Sequence, residues 1–413
     1  MWFRAAVAAG TWTARLSRRL GAGSGSIIGG RVTLALCPDA LARLAAGRQV
    51  ALVSGTNGKT TTSHLLAAAL ASMGTVAHNA TGSNMLDGAL AALAQDPDTR
   101  FAVIEVDELH LATVAEAVDP EVIVLLNLSR DQLDRGSEVR SVAAALSAAL
   151  IRQPRTTVVA NADDPMVVWA AAPAVRTVWV SAGATWAGDT TTCPRCGRSL
   201  ASTTERWACE CGLARPDAAW TAVDQAAGAA SAVRTTGESV PVRLSLPGRF
   251  NLGNAVMAIA AAARMGVDPQ DASDAMSRVD DVAGRYSLVT YGSHEVRLLL
   301  AKNPAGWTET LGVIDDAKAL LIVVNAREAD GRDTSWLWDV PFDELRSPTV
   351  VACGERAADL GVRLSYADIV HTTIADPVAA IAAMPPGKID VVANYTAFAD
   401  LRRRLPSAPA EAL

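Results

Sequence analysis

Apolar residues in this chain fall into two kinds of run. Short β-branched stretches, Gln49–Ser54, Phe101–Val106, Val122–Leu128 and Thr156–Ala160, predict strands. Ala-rich segments with helical spacing, Thr60–Met73 and Val139–Ile151, predict helices between them. Strands that alternate with helices predict an α/β fold, a parallel sheet covered on both faces. A second alternation starts late, with strand-like runs at Ala319–Asn325, Thr349–Cys353 and Ile389–Ala393. Between the two series the composition shifts from Asp189 to Pro216, where four cysteines crowd together, and this reads as a module inserted in the first α/β domain. The domain boundary is expected near Tyr286–Gly292, after an Ala-rich helix (Asn254–Met265) and the loop ending Gly284–Arg285.

Composition narrows the class. The 413 residues are 50% hydrophobic and 19% charged, enough for two or three cored domains and too apolar for disorder. We divide them into a basic helical lead (1–45), a first α/β domain (46–288, with the insert at about 189–217) and a smaller second one (289–413). A net charge of −6 argues against a nucleic-acid binder. The longest stretch without Asp, Glu, Lys or Arg, Thr60 to Leu86, is too interrupted by polar residues and glycine to span a bilayer. The lead carries Arg4, Arg15, Arg18, Arg19 and Arg31 with no acid before Asp39. It reads either as a solvated helix or as a basic face toward anionic lipid or a charged partner. A secretory signal would need a longer apolar run than Ala5–Ala14.

The segment Val53-Ser54-Gly55-Thr56-Asn57-Gly58-Lys59-Thr60-Thr61 follows a predicted strand and opens a helix. Glycines there let backbone N–H groups approach phosphate oxygens, and a helix N-terminus favours their charge. Lys59 is placed to reach the terminal phosphates and the Thr60 hydroxyl to bind Mg²⁺. The usual phosphate loop has a glycine five positions before Gly58, where this chain has Val53, so the loop is a tighter variant starting at Gly55.

Gly55-Thr56-Asn57-Gly58-Lys59-Thr60 resembles the ATP loop of the Mur ligases and folylpolyglutamate synthetases, which phosphorylate a carboxylate and let an amine attack the acyl phosphate. Ile104-Glu105-Val106-Asp107-Glu108 resembles that family's magnesium-binding segment, and Asn127 through Asp134 its Asn-x-x-x-Asp-His-Leu-Asp stretch. Asn161-Ala162-Asp163-Asp164-Pro165 resembles another family turn. Gly248 through Ala255 resembles the segment that meets the adenine, and Gly284-Arg285 the arginine that reaches the nucleotide. The resemblance implies ATP on Gly55, Thr56, Asn57, Gly58, Lys59, Thr60, Thr61, Asn251, Asn254 and Arg285, with Mg²⁺ on Thr60 and Glu105. Two departures, Gln132 in place of a histidine and Ser287 in place of a glutamate, bear on the second metal of the amino-acid-adding ligases. None of the five histidines has metal-ligand spacing, and each reads as structural.

Cys193-Pro194-Arg195-Cys196-Gly197 is a metal knuckle, followed by Cys209-Glu210-Cys211-Gly212. Four thiolates so spaced suit tetrahedral Zn²⁺ in a closed, structural site. The second half is Cys-x-Cys, less regular than the first.

A zinc ribbon within a Mur-ligase-like domain is similar to one branch, the MurT synthetase subunits of lipid II isoglutaminyl synthase. Leu300 through Trp307, Asp330 through Asp339 and Tyr395-Thr396-Ala397 resemble its C-terminal motifs. The resemblance implies ATP-dependent amidation of the D-glutamate α-carboxylate in the lipid II stem peptide. Ammonia would come from a class-I glutamine amidotransferase partner of the GatD type, in a heterodimer at the inner face of the cytoplasmic membrane. It further implies that Asp333, with Asp339 as rival, completes the partner's Cys–His triad. The chain has no cysteine on a Gly-x-Cys-x-Gly turn, so it lacks the nucleophile to make its own ammonia. Trp336 and Trp338 alternate as in a strand and read as packing or interface anchors. The competing readings are an amino-acid ligase of the Mur type and an ATP-binding scaffold for a glutaminase.

Overall fold

The computed structural model describes residues 2–20, 26–79, 83–96, 98–130, 139–183, 191–202, 206–224, 230–246, 248–279, 286–314, 319–345 and 349–405. They divide into two compact units, residues 1–129, 138–245 and 249–280 in the first, 130–137, 246–248 and 281–413 in the second.

In the first unit, nine described strands form one sheet. Their spatial order is Ser239–Val242, Ala230–Arg234, Trp220–Asp224, Arg176–Ser181, Thr157–Asn161, Val122–Leu125, Gln49–Ser54, Phe101–Glu105, Val76–His78. Pairing is parallel from Trp220–Asp224 to Val76–His78, and the remaining two strands add antiparallel at the edge. The β-branched runs seen in the sequence are the central strands, fully buried because helices cover both faces. From Gln49–Ser54 the chain builds outward to one side and then returns to build the other, starting at Val122–Leu125. This reversal is the position at which open α/β sheets bind ligands, beyond the strands' carboxyl ends.

The cysteine segment lies between Arg176–Ser181 and Trp220–Asp224, neighbours in the sheet, and contributes its own two-stranded hairpin, Ala201–Ser202 with Trp207–Ala208. Its apolar side packs on the first unit: Cys193, Trp207, Cys209 and Leu213 form one buried cluster with Val168 of helix Pro165–Ala171.

The second unit has a six-stranded sheet in the order Tyr286–Tyr291, His294–Leu300, Gly387–Ala393, Ala319–Val323, Val350–Cys353, His371–Thr373. Its first pair is antiparallel and the rest are parallel. Side chains alternate between two cores. Leu321, Val323 and Val391 meet Ala397, Phe398 and Leu401 on one face, while Leu320, Ile322 and Val392 meet Trp307, Phe342 and Leu360 on the other.

Two expectations are corrected. Strand Val122–Leu125 stops three residues early, because Asn127 turns away to bond the glycine loop. Trp336 and Trp338 are not in a strand but in a 3-10 helix, Ser335–Asp339. At three residues per turn, positions two apart face different ways, whereas in a strand they would share a face. Trp336 packs on Trp307, whereas Trp338 is exposed.

Candidate functional site

Strand Gln49–Ser54 delivers the chain to Gly55, and helix Lys59–Ala71 begins four residues later. Gly55 (φ 134°) and Gly58 (φ 83°) both sit in backbone regions that favour glycine. Space forbids anything larger: a Cβ on Gly55 would lie 3.0 Å from the Asn127 backbone, and one on Gly58 2.5 Å from Asn254 Oδ1. The helix N-terminus therefore stays open toward the loop.

Asn127, Leu128 and Ser129 clamp this loop. The Thr56 N–H donates to the Asn127 carbonyl (2.9 Å), and the Asn57 N–H to Asn127 Oδ1 (2.8 Å). Asn127 Nδ2 returns a bond to the Asn57 carbonyl (3.0 Å), and the Ser129 N–H donates to Thr56 Oγ1 (3.0 Å). Asp164 holds the clamp from behind. Its carboxylate caps helix Pro165–Ala171 through the Met166 and Val167 N–H groups and also accepts from the Leu128 N–H at 2.8 Å. The family-like turn at Asn161–Pro165 thus supports the glycine loop through one intermediate segment.

The charged groups point inward. Lys59 is 6% exposed, and its ammonium donates to the carbonyls of Gly55 and Thr56 (3.2 Å for the latter) and pairs with Glu108 at 3.1 Å. The Thr60 hydroxyl donates to Glu105 Oε2 at 2.8 Å. Asn79 orients Glu105 by binding its backbone on both sides, accepting from its N–H and donating to its carbonyl, each at 2.8 Å. A hydroxyl and a carboxylate this close are two hard oxygen donors, fit to share one Mg²⁺. Asn251 and Asn254, buried on helix Arg249–Arg264, bond to each other (3.2 Å), and Asn254 touches Gly58. Thr61 is buried at the start of helix Lys59–Ala71. Arg285, with Gly284, Gln132 and the acids Asp131 and Asp134, lies outside the described residues.

Sequence reasoning passed over Glu108, Asn79, Asn127 and Asp164 as individual site residues. Glu108 was within reach of a closer reading, being three residues from Glu105 at the same strand end. Asn127 and Asp164 stood inside family-like motifs, and Asp164 before Pro165 is a helix-start pair, whereas Asn79 carries no local signal, since hydrogen-bonded asparagines are common in any fold. His78 is kept neutral: burial, with a smaller effect from His64, lowers its pKa to about 3, and its Nε2 lies 3.1 Å from Ser63 Oγ. This agrees with a structural role.

The four insert thiols converge, with all Sγ atoms within 4.8 Å of one another. Cys193–Cys211 and Cys196–Cys209 are 3.6 and 3.5 Å apart, near the ~3.8 Å edge of a tetrahedron with Zn–S bonds of about 2.3 Å. Both halves form knuckles. The Gly197 N–H closes a turn onto the Cys193 carbonyl (2.8 Å) and the Gly212 N–H onto the Cys209 carbonyl (2.9 Å), each glycine at positive φ. The Cys-x-Cys half closes one residue sooner and still aims both sulfurs inward. The Leu213 N–H beside Cys211 lowers that thiol to about 7, toward the thiolate a metal needs. Two bonds tie the insert to the Asn161–Pro165 turn: Arg215 to Asp163 at 2.6 Å and Trp207 Nε1 to the Ala162 carbonyl at 3.2 Å.

In the second unit Asp333 is exposed, with the Ser335 N–H donating to it at 2.8 Å and holding its carboxyl below the usual carboxylate range. The loop before it is braced by buried groups. Asp330 accepts from both the Thr396 N–H (2.8 Å) and its hydroxyl, joining two of the C-terminal motifs. Asn325 and Asn394 exchange bonds beneath them (3.1 and 2.6 Å). On the far side Arg363 donates to the carbonyls of Leu337 and Val340, fixing the segment that carries Asp339.

The sequence matches two described domains, the Mur ligase middle domain over residues 53–262 and MurT ligase C-terminal over residues 300–398. A lipid II isoglutaminyl synthase (glutamine-hydrolyzing) subunit MurT from Streptococcus pneumoniae is 30% identical over 83% of this chain and 82% of its own length. The subunit of the same name from Staphylococcus aureus is 29% identical over 86% of both chains. Among solved structures, a pseudomurein peptide ligase type C from Methanothermus fervidus superimposes with a TM-score of 0.71 at 18% identity, covering 89% of this chain and 80% of that one. MurF from Acinetobacter baumannii gives 0.67 at 18% identity, with 90% and 80% covered. Likeness this extensive, running through both units of the molecule, makes the chain a member of the MurT branch of the Mur ligase family, an ATP-dependent ligase.

Proposed function

We propose that this chain amidates the α-carboxylate of the D-glutamate in the lipid II stem peptide, giving D-isoglutamine, with ammonia from a GatD-like glutaminase. One observation carries this reading: a complete phosphoryl-transfer set, Lys59, Thr60 and Glu105 around Gly55–Gly58, occurs in the same chain as the MurT C-terminal region with its braced Asp330–Asp339 segment.

The chemistry follows from the residues. The substrate carboxylate attacks the γ-phosphorus of ATP, ADP leaves, and an acyl phosphate forms. Ammonia then attacks the acyl carbon, and phosphate departs with the C–O bond pair and takes up the proton the nitrogen loses. Lys59 moves from Gly55, Thr56 and Glu108 toward the phosphates and offsets charge that grows during transfer. Glu108 keeps that ammonium aimed until it does. Thr60 and Glu105 would hold Mg²⁺, which when bound would neutralise phosphate oxygens, and Asn79 fixes the backbone that carries the Glu105 carboxylate. Asn251, Asn254 and Arg285 serve the nucleotide's base and ribose side. The Cys193, Cys196, Cys209 and Cys211 set would hold a structural Zn²⁺.

The need for outside ammonia is supported by the two cysteines beyond that set. Cys353 is buried, which with the charge of Asp376 pushes its thiol up to about 12. Cys37 donates to Asp39 at 3.0 Å and is likewise held protonated. Neither is a ready nucleophile. Asp333 is then the third member of the partner's triad, orienting its histidine, and the enzyme works at the cytoplasmic face of the membrane where its lipid-linked substrate lies. The test is amidation of lipid II by this chain with ATP and glutamine, with and without the partner. Product only when the partner is present, or when free ammonium replaces glutamine, is the expected result. Incorporation of an amino acid instead would make the chain an amino-acid ligase.

A further inference from the structure

Helices Trp2–Arg19 and Ser26–Leu36 form an antiparallel hairpin on the first unit, and its residues are distributed inside out. The side turned inward is made of small residues. Ala6 and Gly10 of one helix meet Gly29 and Thr33 of the other, all buried. A Cβ on Gly10 would lie 2.5 Å from the Gly29 carbonyl, and one on Gly29 2.7 Å from the Gly10 carbonyl, so the helices cross in backbone contact. Thr33 donates to the Gly29 carbonyl (3.0 Å), and Trp2 Nε1 to the Leu36 carbonyl (2.9 Å). The hairpin is also seated on the unit: Gly30 abuts the Asp87 backbone and Arg31 pairs with Asp87 at 3.5 Å.

The large apolar residues face out. Trp2, Trp12 and Leu20 are 66%, 65% and 73% exposed, and Leu16, Ile27 and Ile28 are exposed as well. At 3.6 residues per turn, Trp12, Leu16, Trp2 and Leu20 share one stripe of the first helix, and exposed Arg4, Arg15 and Arg19 run along the adjoining one. The register set by Trp2–Leu36 and Gly10–Gly29 brings Ile27 level with Trp12. Five arginines and no acid precede Asp39, in a chain whose net charge is −6. No helix among the described residues is long and apolar enough to cross a membrane.

We propose that this hairpin is a docking surface for an anionic lipid bilayer, lying in the plane of the interface with its tryptophans at headgroup depth and its arginines against lipid phosphates. Charge selects that occupant. A second copy would set the same arginines against each other, and a neutral apolar partner would leave them unmatched, whereas an anionic bilayer satisfies both stripes. Tryptophan and arginine, each with an apolar body and a polar tip, are the side chains that stabilise such a position. The inference stands on the hairpin alone and does not depend on the substrate proposed above.

The experiment is co-sedimentation of the full chain with vesicles of phosphatidylcholine, with and without phosphatidylglycerol, at low and high salt. Binding is expected to the phosphatidylglycerol vesicles, weakened by salt, with tryptophan emission quenched by brominated acyl chains. Replacing Arg4, Arg15 and Arg19 together by Gln should weaken it about 100-fold. Trp12→Ala with Leu16→Ala should weaken it about tenfold or more and remove most of the quenching. Both variants change exposed positions and should keep the parent melting temperature and ATP affinity. No binding to the anionic vesicles at low salt overturns the proposal, as does binding that neither variant weakens. So does a dimer of the chain in solution that the Trp12→Ala, Leu16→Ala variant dissociates, which would make the hairpin a self-association face.

Discussion

The glycine loop of the first unit and the Asp330–Asp339 segment of the second make an instructive pair. Each lies past the end of a buried strand, Gln49–Ser54 in one case and Ala319–Val323 in the other, and each is pinned to the chain beyond a neighbouring strand, the loop by the Asn127 side chain and the segment by the Asp330 carboxylate on Thr396. They differ in which way the charge faces. Lys59, Thr60 and Glu105 are buried, Thr60 bonded to Glu105 and Lys59 to Glu108 and the loop, whereas Asp333 is in solvent and the buried acid is Asp330, beneath it. An inward set suits a small ligand that the protein surrounds. An outward carboxylate on a rigid base suits a group that arrives on another molecule.

Mutations that separate the two regions test this contrast. The largest effect is expected from Asp333→Asn, which keeps the shape but not the charge. Glutamine hydrolysis by the complex should fall by about 10⁴, while amidation fed by free ammonium should continue. If Asp339→Asn loses the hydrolysis instead, the outward carboxylate has been misassigned.

Lys59→Ala should give the opposite pattern. Amidation with either nitrogen source should drop by about 10²–10³, the range for a lost donor to charge that grows in the transition state. Steady-state rates with glutamine and with ammonium decide it, and near-normal turnover would remove Lys59 from the mechanism.

A third change probes the support of the inward site. Cys193→Ser should lower the melting temperature by roughly 5–10 °C and leave ATP affinity less affected, and the parent protein should carry about one zinc per chain by elemental analysis. Fully active, metal-free protein of unchanged stability would exclude the structural metal.

The smallest effect probes the base of the outward site. Asp330→Asn lets Asn Oδ1 still accept from the Thr396 N–H but sets an amide against the Thr396 hydroxyl. A loosened loop should cost about tenfold in glutamine hydrolysis, on the order of one hydrogen bond, with ammonium-fed amidation unchanged. Equal loss with both nitrogen sources would show that Asp330 serves general stability and not the position of Asp333.

Much of this was legible beforehand for a physical reason. Strands of β-branched residues and Ala-rich helices are short-range patterns, and Gln49–Ser54 and Val139–Ile151 run over the same residues in structure as in the sequence reading. The glycine loop is likewise local, because the positive φ of Gly55 and Gly58 and the lysine after them lie within five residues. The strand Ala230–Arg234, one in from the sheet's edge, was not legible, since Ala and Ser have little strand preference and the sheet recruits them by pairing on both sides. The 3-10 helix of Trp336 and Trp338 was misread because a Trp-x-Trp spacing fits a strand's period of two, while the burial of adjacent Trp336 and Leu337 appears only in the fold.

What the sequence determined by itself is therefore the chemistry available: a phosphate loop, a carboxylate at a strand end, four thiols in two knuckles, and an acid followed by two tryptophans. Only the tertiary structure decided how these are held. Asn127 comes to Asn57 across 70 residues, Asn79 to Glu105 across 26, Arg215 to Asp163 across 52 and Thr396 to Asp330 across 66. Such bonds follow from strand order and crossover, which set which chain segments meet at the sheet's edge, and a hydrogen-bonding side chain carries no mark of its partner until the fold supplies one.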